Sequence, residues 1–263
     1  MDRRARNSRL GHRGGWHRGP RVRVVHILAI DTATAATSVA VVGSGGSVRC
    51  ESQVIDVRRH AEAIAPLIRD VLAEARVDAS AIDLVACGVG PGPFTGLRVG
   101  IATGVAIAEG RGIPVVGVCS LDVIARRAVR DYPGSVTVLT RARRAELCWA
   151  AYDEHAQRLA GPLIRSENDL DIHGTAVGDA GPVDVVMYPQ AGVLADLVAE
   201  RLASGEPLPD RVELPEEGAR ESGAATADIL HDRAQRGLLL LPARPLYLRR
   251  PDAVVPASMG GGA

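Results

Sequence analysis

Apolar and polar positions recur along this chain with two different periods, and each change of period marks a predicted element. Short apolar or alternating runs are typical of β-strands, whereas apolar residues three and four positions apart indicate the buried face of a helix. The first half of the chain follows the order β-β-β-α-β-α-β-α, which predicts an antiparallel meander continuing into parallel βα units, an α/β fold. These segments lie at residues 26–30, 37–42, 47–53, 60–75, 83–89, 96–109, 114–118 and 121–129.

The second half also begins with strand candidates, at 135–140 and 146–152. From 165 to 220 the periodic signal weakens into glycine, proline and acidic clusters, and helices are predicted only at 192–202 and 224–236. A second half that again begins with strands suggests two lobes of similar architecture. The predicted divisions are a basic, disordered extension at 1–24, an N-terminal lobe at 25–130, a C-terminal lobe with a closing segment at 131–253, and a flexible tail at 254–263.

The segment 88–104, GVGPGPFTGLRVGIATG, is the most informative stretch of the sequence. A strand, a glycine–proline loop and a helix start meet there, an arrangement that directs backbone N–H groups toward one point. Each interior glycine costs about 1 kcal/mol of helix propensity relative to alanine, so close approach of another helix is the expected compensation. The small residues of this helix lie four positions apart, at Gly96, Gly100, Gly104 and Ala108.

A turn rich in hydroxyl groups, Asp31-Thr32-Ala33-Thr34, follows the first strand. Taken alone, these side chains are typical of an Asx or ST turn that stabilises itself. Combined with Gly92 and Thr95 of the glycine loop, the turn resembles the phosphate-binding turns in the nucleotide cleft of the actin, Hsp70 and sugar-kinase superfamily. Pro91 and Pro93 have no N–H group, which reduces the donors available to an anion.

Charge is distributed unevenly over a chain whose formal net charge is zero. Residues 1–24 carry eight arginines and one acid, a local charge of +7, so the remaining residues carry −7. An acidic body is poorly suited to binding a phosphate backbone on its own. The chain contains no lysine, which excludes P-loop and Schiff-base mechanisms that depend on that residue.

Candidate catalytic and metal-ligating side chains are few. No two of the seven histidines are three or four residues apart, so the sequence lacks a helical zinc motif. His60 begins the predicted helix at 60–75 without a suitably spaced Ser or Cys nucleophile, which favours a packing role over catalysis. Cys87 and Cys119 end apolar strands and are interpreted as small buried hydrophobic residues. Widely spaced cysteines, no apolar run of bilayer length and no secretory leader indicate a cytoplasmic protein with free thiols.

Several segments, in this order, resemble the TsaB (YeaZ) family. They are ILAIDTAT at 27–34, RRHAEAIAPLI at 58–68, GVGPGPFTGLRVGIATGVAIA at 88–108, PVVGVCSLDVIA at 114–125 and ARPLYLRRPDA at 243–253. Residues 141–149, RARRAELCW, are similar to the DARRxEVYW strand pair of that family, with Arg141 in place of the usual aspartate and Cys148 in place of the usual tyrosine.

The resemblance implies the fold of the actin-like ATPase (ASKHA) superfamily, with two RNase H-like lobes and mixed sheets. It also implies a cytoplasmic, non-catalytic dimerisation subunit of the complex that makes N6-threonylcarbamoyladenosine in tRNA. Its partners would be a TsaD-type catalytic subunit and a TsaE-type ATPase, with a homodimer when alone, tRNA bound only through the complex, and no membrane contact. ATP and metal are expected on the partner subunits. The metal histidines of the related TsaD subunit would align with Ser120 and Ile124, neither of which can replace them.

The predicted partner surface joins the helix at 60–75 to the small-residue row of the next helix. On this hypothesis a leucine at position 100 or 104 leaves a folded monomer that no longer assembles, whereas contact of the row with the chain's own lobe is the alternative. The surface comprises His60, Ile64, Leu67, Ile68, Gly96, Leu97, Gly100, Ile101, Gly104 and Ala108. The possible vestigial phosphate cleft comprises Asp31, Thr32, Thr34, Gly92 and Thr95.

Three other functions stay open at the level of the sequence. A small-molecule kinase of the same superfamily would use Asp31 and the glycine loop, but it needs a carboxylate base and an adenosine pocket that the region 165–220 does not reveal. A peptidase is disfavoured by the lack of paired histidines. Direct RNA binding through the arginine-rich residues 1–24 is the third.

Overall fold

The computed structural model describes residues 26–43, 47–143, 145–209, 233 and 238–248. The extension at 1–24, the tail at 254–263 and nearly all of the predicted helix at 224–236 lie outside these residues. Among the helices of the described part, none combines the length and the apolar character needed to cross a bilayer.

The first sheet confirms the predicted meander and its continuation into parallel strands. Its strands are β1 (His26–Asp31), β2 (Ala36–Gly43), β3 (Val48–Ile55), β4 (Leu84–Gly88) and β5 (Val115–Val118). The order across the sheet is β3-β2-β1-β4-β5. Neighbours β1 and β2 are antiparallel, with Ala29 opposite Ala40, whereas β1 and β4 are parallel, with Ala29 opposite Ala86.

Helices cover both faces of this sheet because its central strands are apolar on both sides. Within the described residues the α-helices are α1 (His60–Ala75), α2 (Phe94–Arg111), α3 (Ser120–Asp131) and α4 (Ala191–Ala203). Leu28 and Ile30 of β1 belong to the cluster that buries Ile64 of α1, whereas Ile27 and Ala29 point to the opposite face and lie in the cluster of α4. The alternation of side chains along β1 therefore places α1 and α4 on opposite sides.

The second sheet has the order β10-β9-β6-β7-β8. Its strands are β6 (Val136–Arg141), β7 (Glu146–Tyr152), β8 (Arg158–Ser166), β9 (Thr175–Gly178) and β10 (Val185–Val186). The first two agree with the predicted strands. Helix α3 packs on this sheet, where Leu121 and Ile124 share a buried cluster with Val136 and Val138. The short strands β9 and β10 lie in the region of weak sequence signal.

Residues near the C-terminus return to the first sheet, which differs from the predicted assignment of 131–253 to the C-terminal lobe. Helix α4 packs on β1 and β2. Leu241 and Gly117 of β5 exchange two backbone hydrogen bonds, of 2.6 and 2.8 Å, and the Leu246 N–H donates to the Val89 carbonyl oxygen at 2.8 Å. We call residues 238–248 the closing segment. It covers the open edge of β5 and so completes the first lobe.

Candidate functional site

The glycine row of α2 faces the interior of the chain itself. A Cβ atom on Gly100 would lie 2.3 Å from Thr32 Oγ1, and one on Gly104 would lie 2.3 Å from Cys87 Sγ. A Cβ atom on Gly96 would lie 2.6 Å from the Thr32 carbonyl oxygen. The prediction that this row contacts a neighbouring subunit is therefore wrong. The missing side chains let α2 approach β1 and β4, so substitution of Gly100 or Gly104 by leucine should damage the fold.

The other residues of the predicted partner surface are buried as well. The periodicity of the sequence correctly identified the buried faces of α1 and α2. These faces pack against the first sheet of the same chain and not against a partner. The buried residues in question are His60, Ile64, Leu67, Ile68, Leu97, Ile101 and Ala108. A partner that contacted these two helices would therefore meet their opposite, outward face.

Thr32 fastens α2 to the end of β1. Its hydroxyl donates to the Gly96 carbonyl oxygen at 2.7 Å and accepts from the Gly100 N–H at 3.0 Å. The Thr32 side chain is 1% exposed. Both hydrogen-bonding functions of this hydroxyl are thus used inside the chain, between two glycines that leave room for it.

Asp31 joins three loops at the end of the first sheet. One carboxylate oxygen accepts from the Ala33 N–H at 2.8 Å, and the other accepts from the Ser120 hydroxyl at 2.7 Å. The Ser120 oxygen in turn accepts from the Gly90 N–H at 3.2 Å. Burial raises the pKa of Asp31 to about 6. This carboxyl, which is 1% exposed, stabilises the turn and does not face an open cleft.

The remaining residues of the predicted phosphate cleft are divided between this turn and the surface. Thr34 is buried, and its oxygen accepts from the Ala36 N–H at 3.3 Å. A Cβ atom on Gly92 would lie 2.0 Å from the Ala33 carbonyl oxygen, so glycine is needed for this approach. Thr95 is exposed on the first turn of α2, apart from the others. The structure therefore brings Asp31, Thr32, Thr34 and Gly92 into one packed turn with an Asx-type hydrogen bond.

Asp179 connects the two sheets, a role that no pattern in the sequence predicts. It follows β9, and its carboxylate accepts from the Ala35 N–H at 3.4 Å and from the Arg141 N–H at 3.1 Å. Burial raises the pKa of this carboxyl. Arg141 thus donates its backbone N–H to a carboxylate between the lobes. Its partner Ala35 lies 144 positions away from Asp179, beyond the reach of any local pattern.

A buried ion pair between Asp122 of α3 and Arg158 of β8 is a second feature that the sequence patterns did not predict. The Asp122 carboxylate accepts from the Tyr152 hydroxyl at 2.7 Å and from Arg158 Nε at 3.0 Å. Burial, followed by the Asp122 charge, raises the pKa of Tyr152 well above its usual value. The pair lies at one wall of a cavity of about 240 Å³. At the same cavity, Arg126 Nη2 donates to the two carboxylate oxygens of Glu200 in α4, at 2.7 and 2.9 Å. The charged side chains that line the cavity are therefore largely paired with one another.

His60 and the cysteines are packing residues in the structure. His60 is 6% exposed, its Nδ1 lies 2.7 Å from Thr37 Oγ1, and burial lowers its pKa. The four cysteines are free and buried, as predicted for Cys87 and Cys119, and Cys148 is buried with them. Burial raises the pKa of Cys87 to about 12, which leaves its thiol protonated at neutral pH. Within the described residues no three His, Cys, Asp or Glu side chains are grouped to hold a metal ion.

The outward face of α2 has an unusual composition for a surface helix. From residue 99 to residue 108 it carries no charge, and Ala102 and Ala106 are exposed. At its start, Arg98 lies 4.1 Å from the centre of the Phe94 ring, which stacks on Tyr247 of the closing segment at 5.2 Å. Phe94, the only phenylalanine, is 41% exposed. The charged, hydrated surface expected of a solvated helix is therefore absent over these residues.

Two mixed five-stranded sheets, with helices packed on each, define a two-lobed α/β protein with the actin-like ATPase fold. The family model described as TsaD: tRNA N6-adenosine threonylcarbamoyltransferase matches residues 54–179. The solved structure of YeaZ from Pseudomonas aeruginosa superposes with a TM-score of 0.60 at 28% identity, covering 69% of this chain and 94% of that one. The chain belongs to the TsaB/YeaZ family.

Sequence relatives agree with this assignment. An uncharacterized protein of Mycobacterium tuberculosis is 36% identical over 234 residues, which make up 89% of this chain and 96% of the relative. The tRNA threonylcarbamoyladenosine biosynthesis protein TsaB of Escherichia coli is 38% identical over 130 residues, 49% of this chain and 55% of the relative. The match to a Mycobacterium leprae protein, 40% identical, spans 53% of that relative. The chain thus spans about half the length of these last two proteins.

Proposed function

We propose that this chain is a non-catalytic scaffold of the tRNA N6-threonylcarbamoyladenosine transferase complex and that it binds a TsaD-type catalytic subunit. Relatives named TsaB support a role in threonylcarbamoyladenosine biosynthesis. The match of residues 54–179 to the TsaD model supports a partnership between chains of related fold. Pairing of two related domains through equivalent surfaces is a common route to assembly.

The observation that carries the proposal is the contrast between the first turn and the surface of α2. Asp31 and Thr32 make their hydrogen bonds to groups of the same chain. They are the side chains of this turn best suited to contact a phosphate or a metal. Residues 99–108 of α2 carry no charge, and Ala102 and Ala106 on its outward face are exposed. This arrangement of the described residues supports a role as a contact surface.

We define the docking face as the outward residues of α1 and α2. The two helices lie side by side, and the partly buried Leu72 and Val99 belong to the cluster beneath them. The small outward residues of α2 allow the helices of a partner to approach closely, and its uncharged stretch leaves little polar surface to desolvate. The docking face comprises the exposed residues Ala61, Ala65, Arg98, Ala102, Ala106 and Glu109.

The proposal assigns the chemistry to the partners. ATP and metal would bind to the TsaD-type and TsaE-type subunits, with no cofactor held tightly by this chain, and tRNA would bind only to the assembled complex. The chain would act in the cytoplasm without contacting a membrane. When the catalytic subunit is missing, the docking face would pair with a second copy of the chain.

Ala102→Arg tests the docking face directly. A long charged side chain in the middle of the uncharged stretch should abolish co-purification with the TsaD-type subunit of the same organism, while circular dichroism shows an unchanged fold. Ala203→Arg, at an exposed alanine at the end of α4 on the opposite side of the sheet from α1, is the matched control and should bind normally. If both variants co-purify with the catalytic subunit as the wild type does, this surface is not the binding site.

Two further measurements test the scaffold role itself. Modification of tRNA by the partner subunits should require this chain, and Ala102→Arg should not support it. Calorimetric titration of the isolated chain with Mg-ATP should give no tight binding. Micromolar binding of the nucleotide, or turnover of a substrate by the chain alone, would instead favour the kinase alternative.

A further inference from the structure

The cavity of about 240 Å³ beside α3 has no part in the proposed scaffold role. Its walls come from α3, from the hairpin that joins β7 to β8, from α4 and from the closing segment. Helix α4 lies on the opposite face of the first sheet from α1. The cavity is therefore separate from the docking face, and a function at one site does not depend on the other.

One wall of the cavity is apolar and fixed in place. Leu197 of α4 lies there with Leu238, Leu239 and Leu241 of the closing segment. The Leu239 N–H donates to the buried carboxylate of Glu206 at 2.8 Å, which holds this part of the closing segment. A preformed apolar wall binds a hydrocarbon group with little loss of conformational freedom in the protein.

Two guanidinium groups in the other walls are oriented by ion pairs that use only part of their hydrogen-bonding capacity. Arg158 donates from Nε and Nη2 to Asp122, and Arg126 donates from Nη2 to Glu200. Among the described residues, no acceptor contacts Arg158 Nη1, Arg126 Nε or Arg126 Nη1. Both groups therefore keep N–H donors for the oxygen atoms of a ligand.

The lining favours a ligand with a single negative charge. Unused guanidinium donors require an acceptor, and a carboxylate matches their planar geometry. Asp122 and Glu200 line the same cavity and would repel a second negative charge, which disfavours a phosphate dianion. The remaining arginine of the lining, Arg201, already contacts Glu206 at 3.9 Å.

The hairpin at the edge of the cavity has a strained backbone at its tip. Ala156 has a φ of 57°, in the left-handed region that favours glycine. The Asp153 carboxylate holds this turn by accepting from the N–H groups of His155 and Gln157, at 2.9 and 2.8 Å. Strain of this kind clusters at ligand sites, and here it lies next to the residues that enter the lining, Gln157 and Arg158.

We propose that this cavity binds a small organic carboxylate with an apolar body. The carboxylate would accept hydrogen bonds from the unused N–H groups of Arg126 and Arg158, and the apolar body would contact the leucines of the fixed wall. A cavity of about 150 Å³ is large enough for benzene, so the volume here suits a ligand of roughly ten heavy atoms.

A series of straight-chain carboxylates tests the size and charge of the site by calorimetric titration of the full-length chain. From butanoate to octanoate, affinity should rise about threefold to fourfold per methylene group, because each added group is buried against the leucines. Octanoate should bind with a dissociation constant of about 1 mM or lower. Dodecanoate exceeds the cavity and should bind no more tightly. Octanamide, of equal size but uncharged, should bind at least about tenfold more weakly.

Substitutions in the walls locate the site. Arg126→Gln should weaken octanoate binding by about tenfold, because a charged donor to the carboxylate is lost. Glu200→Gln breaks the same ion pair but keeps the guanidinium, so it should not weaken binding. Arg130→Gln, at an exposed arginine of the same helix outside the lining, is the matched control and should bind as the wild type does.

Four results would overturn the inference. They are a dissociation constant for octanoate above about 10 mM, equal binding of octanoate and octanamide, affinity that keeps rising to dodecanoate, and an Arg126→Gln variant that binds like the wild type. Tighter binding of hexyl phosphate than of octanoate would show that the choice of a carboxylate is wrong. None of these results bears on co-purification with the TsaD-type subunit, which tests the proposed function separately.

Discussion

Gly100→Ala should destabilise the protein even though alanine favours helices. The added Cβ atom would lie 2.3 Å from Thr32 Oγ1 in a fully packed site, and crowding of this kind costs about 1–3 kcal/mol. If Thr32 moves aside, its hydrogen bonds to Gly96 and Gly100 are lost, at a cost of about 1–3 kcal/mol. Helix propensity returns about 1 kcal/mol. Together these contributions give an expected net loss in the free energy of unfolding of about 1–5 kcal/mol.

Gly110→Ala provides the control within the same helix. Gly110 is exposed, and a Cβ atom there would meet no atom within 4 Å, so this variant should gain up to about 1 kcal/mol. Urea unfolding followed by circular dichroism measures both changes. In thermal unfolding, Gly100→Ala should lower the midpoint by about 2–20 °C, at about 2–4 °C for each kcal/mol lost. The reasoning fails if Gly100→Ala is as stable as the wild type, because the contact between α2 and Thr32 would then tolerate a methyl group.

Two further substitutions test the buried polar groups. Burial raises the pKa of Asp31 from 3.8 to about 6. The folded state therefore keeps the proton of this carboxyl to a higher pH than the unfolded state does. As a result, the stability that Asp31 contributes falls as the pH rises from about 4 to about 6. Relative to wild type, Asp31→Asn should therefore gain up to about 3 kcal/mol between pH 4 and pH 7 in urea unfolding, whereas parallel curves would contradict a raised pKa. Arg158→Met should cost about 3–5 kcal/mol, because Asp122 is left as a buried charge without its cation, and addition of Asp122→Asn should recover part of that loss. A loss below about 1 kcal/mol for Arg158→Met would show that the pair is not buried as described.

The sequence predicted the order of elements well where amphipathic patterns were long. Helix α1 begins at His60 as predicted, and the meander of β1 to β3 follows from alternating runs. The small-residue row of α2 was also recognised as a close-packing surface. What covers that row could not be decided, because α2 is apolar or small on nearly every side between Arg98 and Glu109. Only the positions of Thr32 and Cys87 show that the row faces the sheet.

Contacts between distant parts of the chain explain the remaining errors. Asp179 reaches Ala35 across 144 positions, and the partners Asp122 and Arg158 are 36 positions apart on different elements. No periodic signal records such pairs. Strands of two and four residues, such as β10 and β9, are too short for alternation to be recognised.

The hydrogen bonds between Gly117 and Leu241 have a consequence for how the protein is made. Strand β5 is synthesised more than a hundred residues before the segment that pairs with its outer edge. While the ribosome is still translating the second lobe, that edge is an unpaired strand, the kind of surface at which nascent chains associate wrongly. The first lobe to leave the ribosome is therefore the last to be finished.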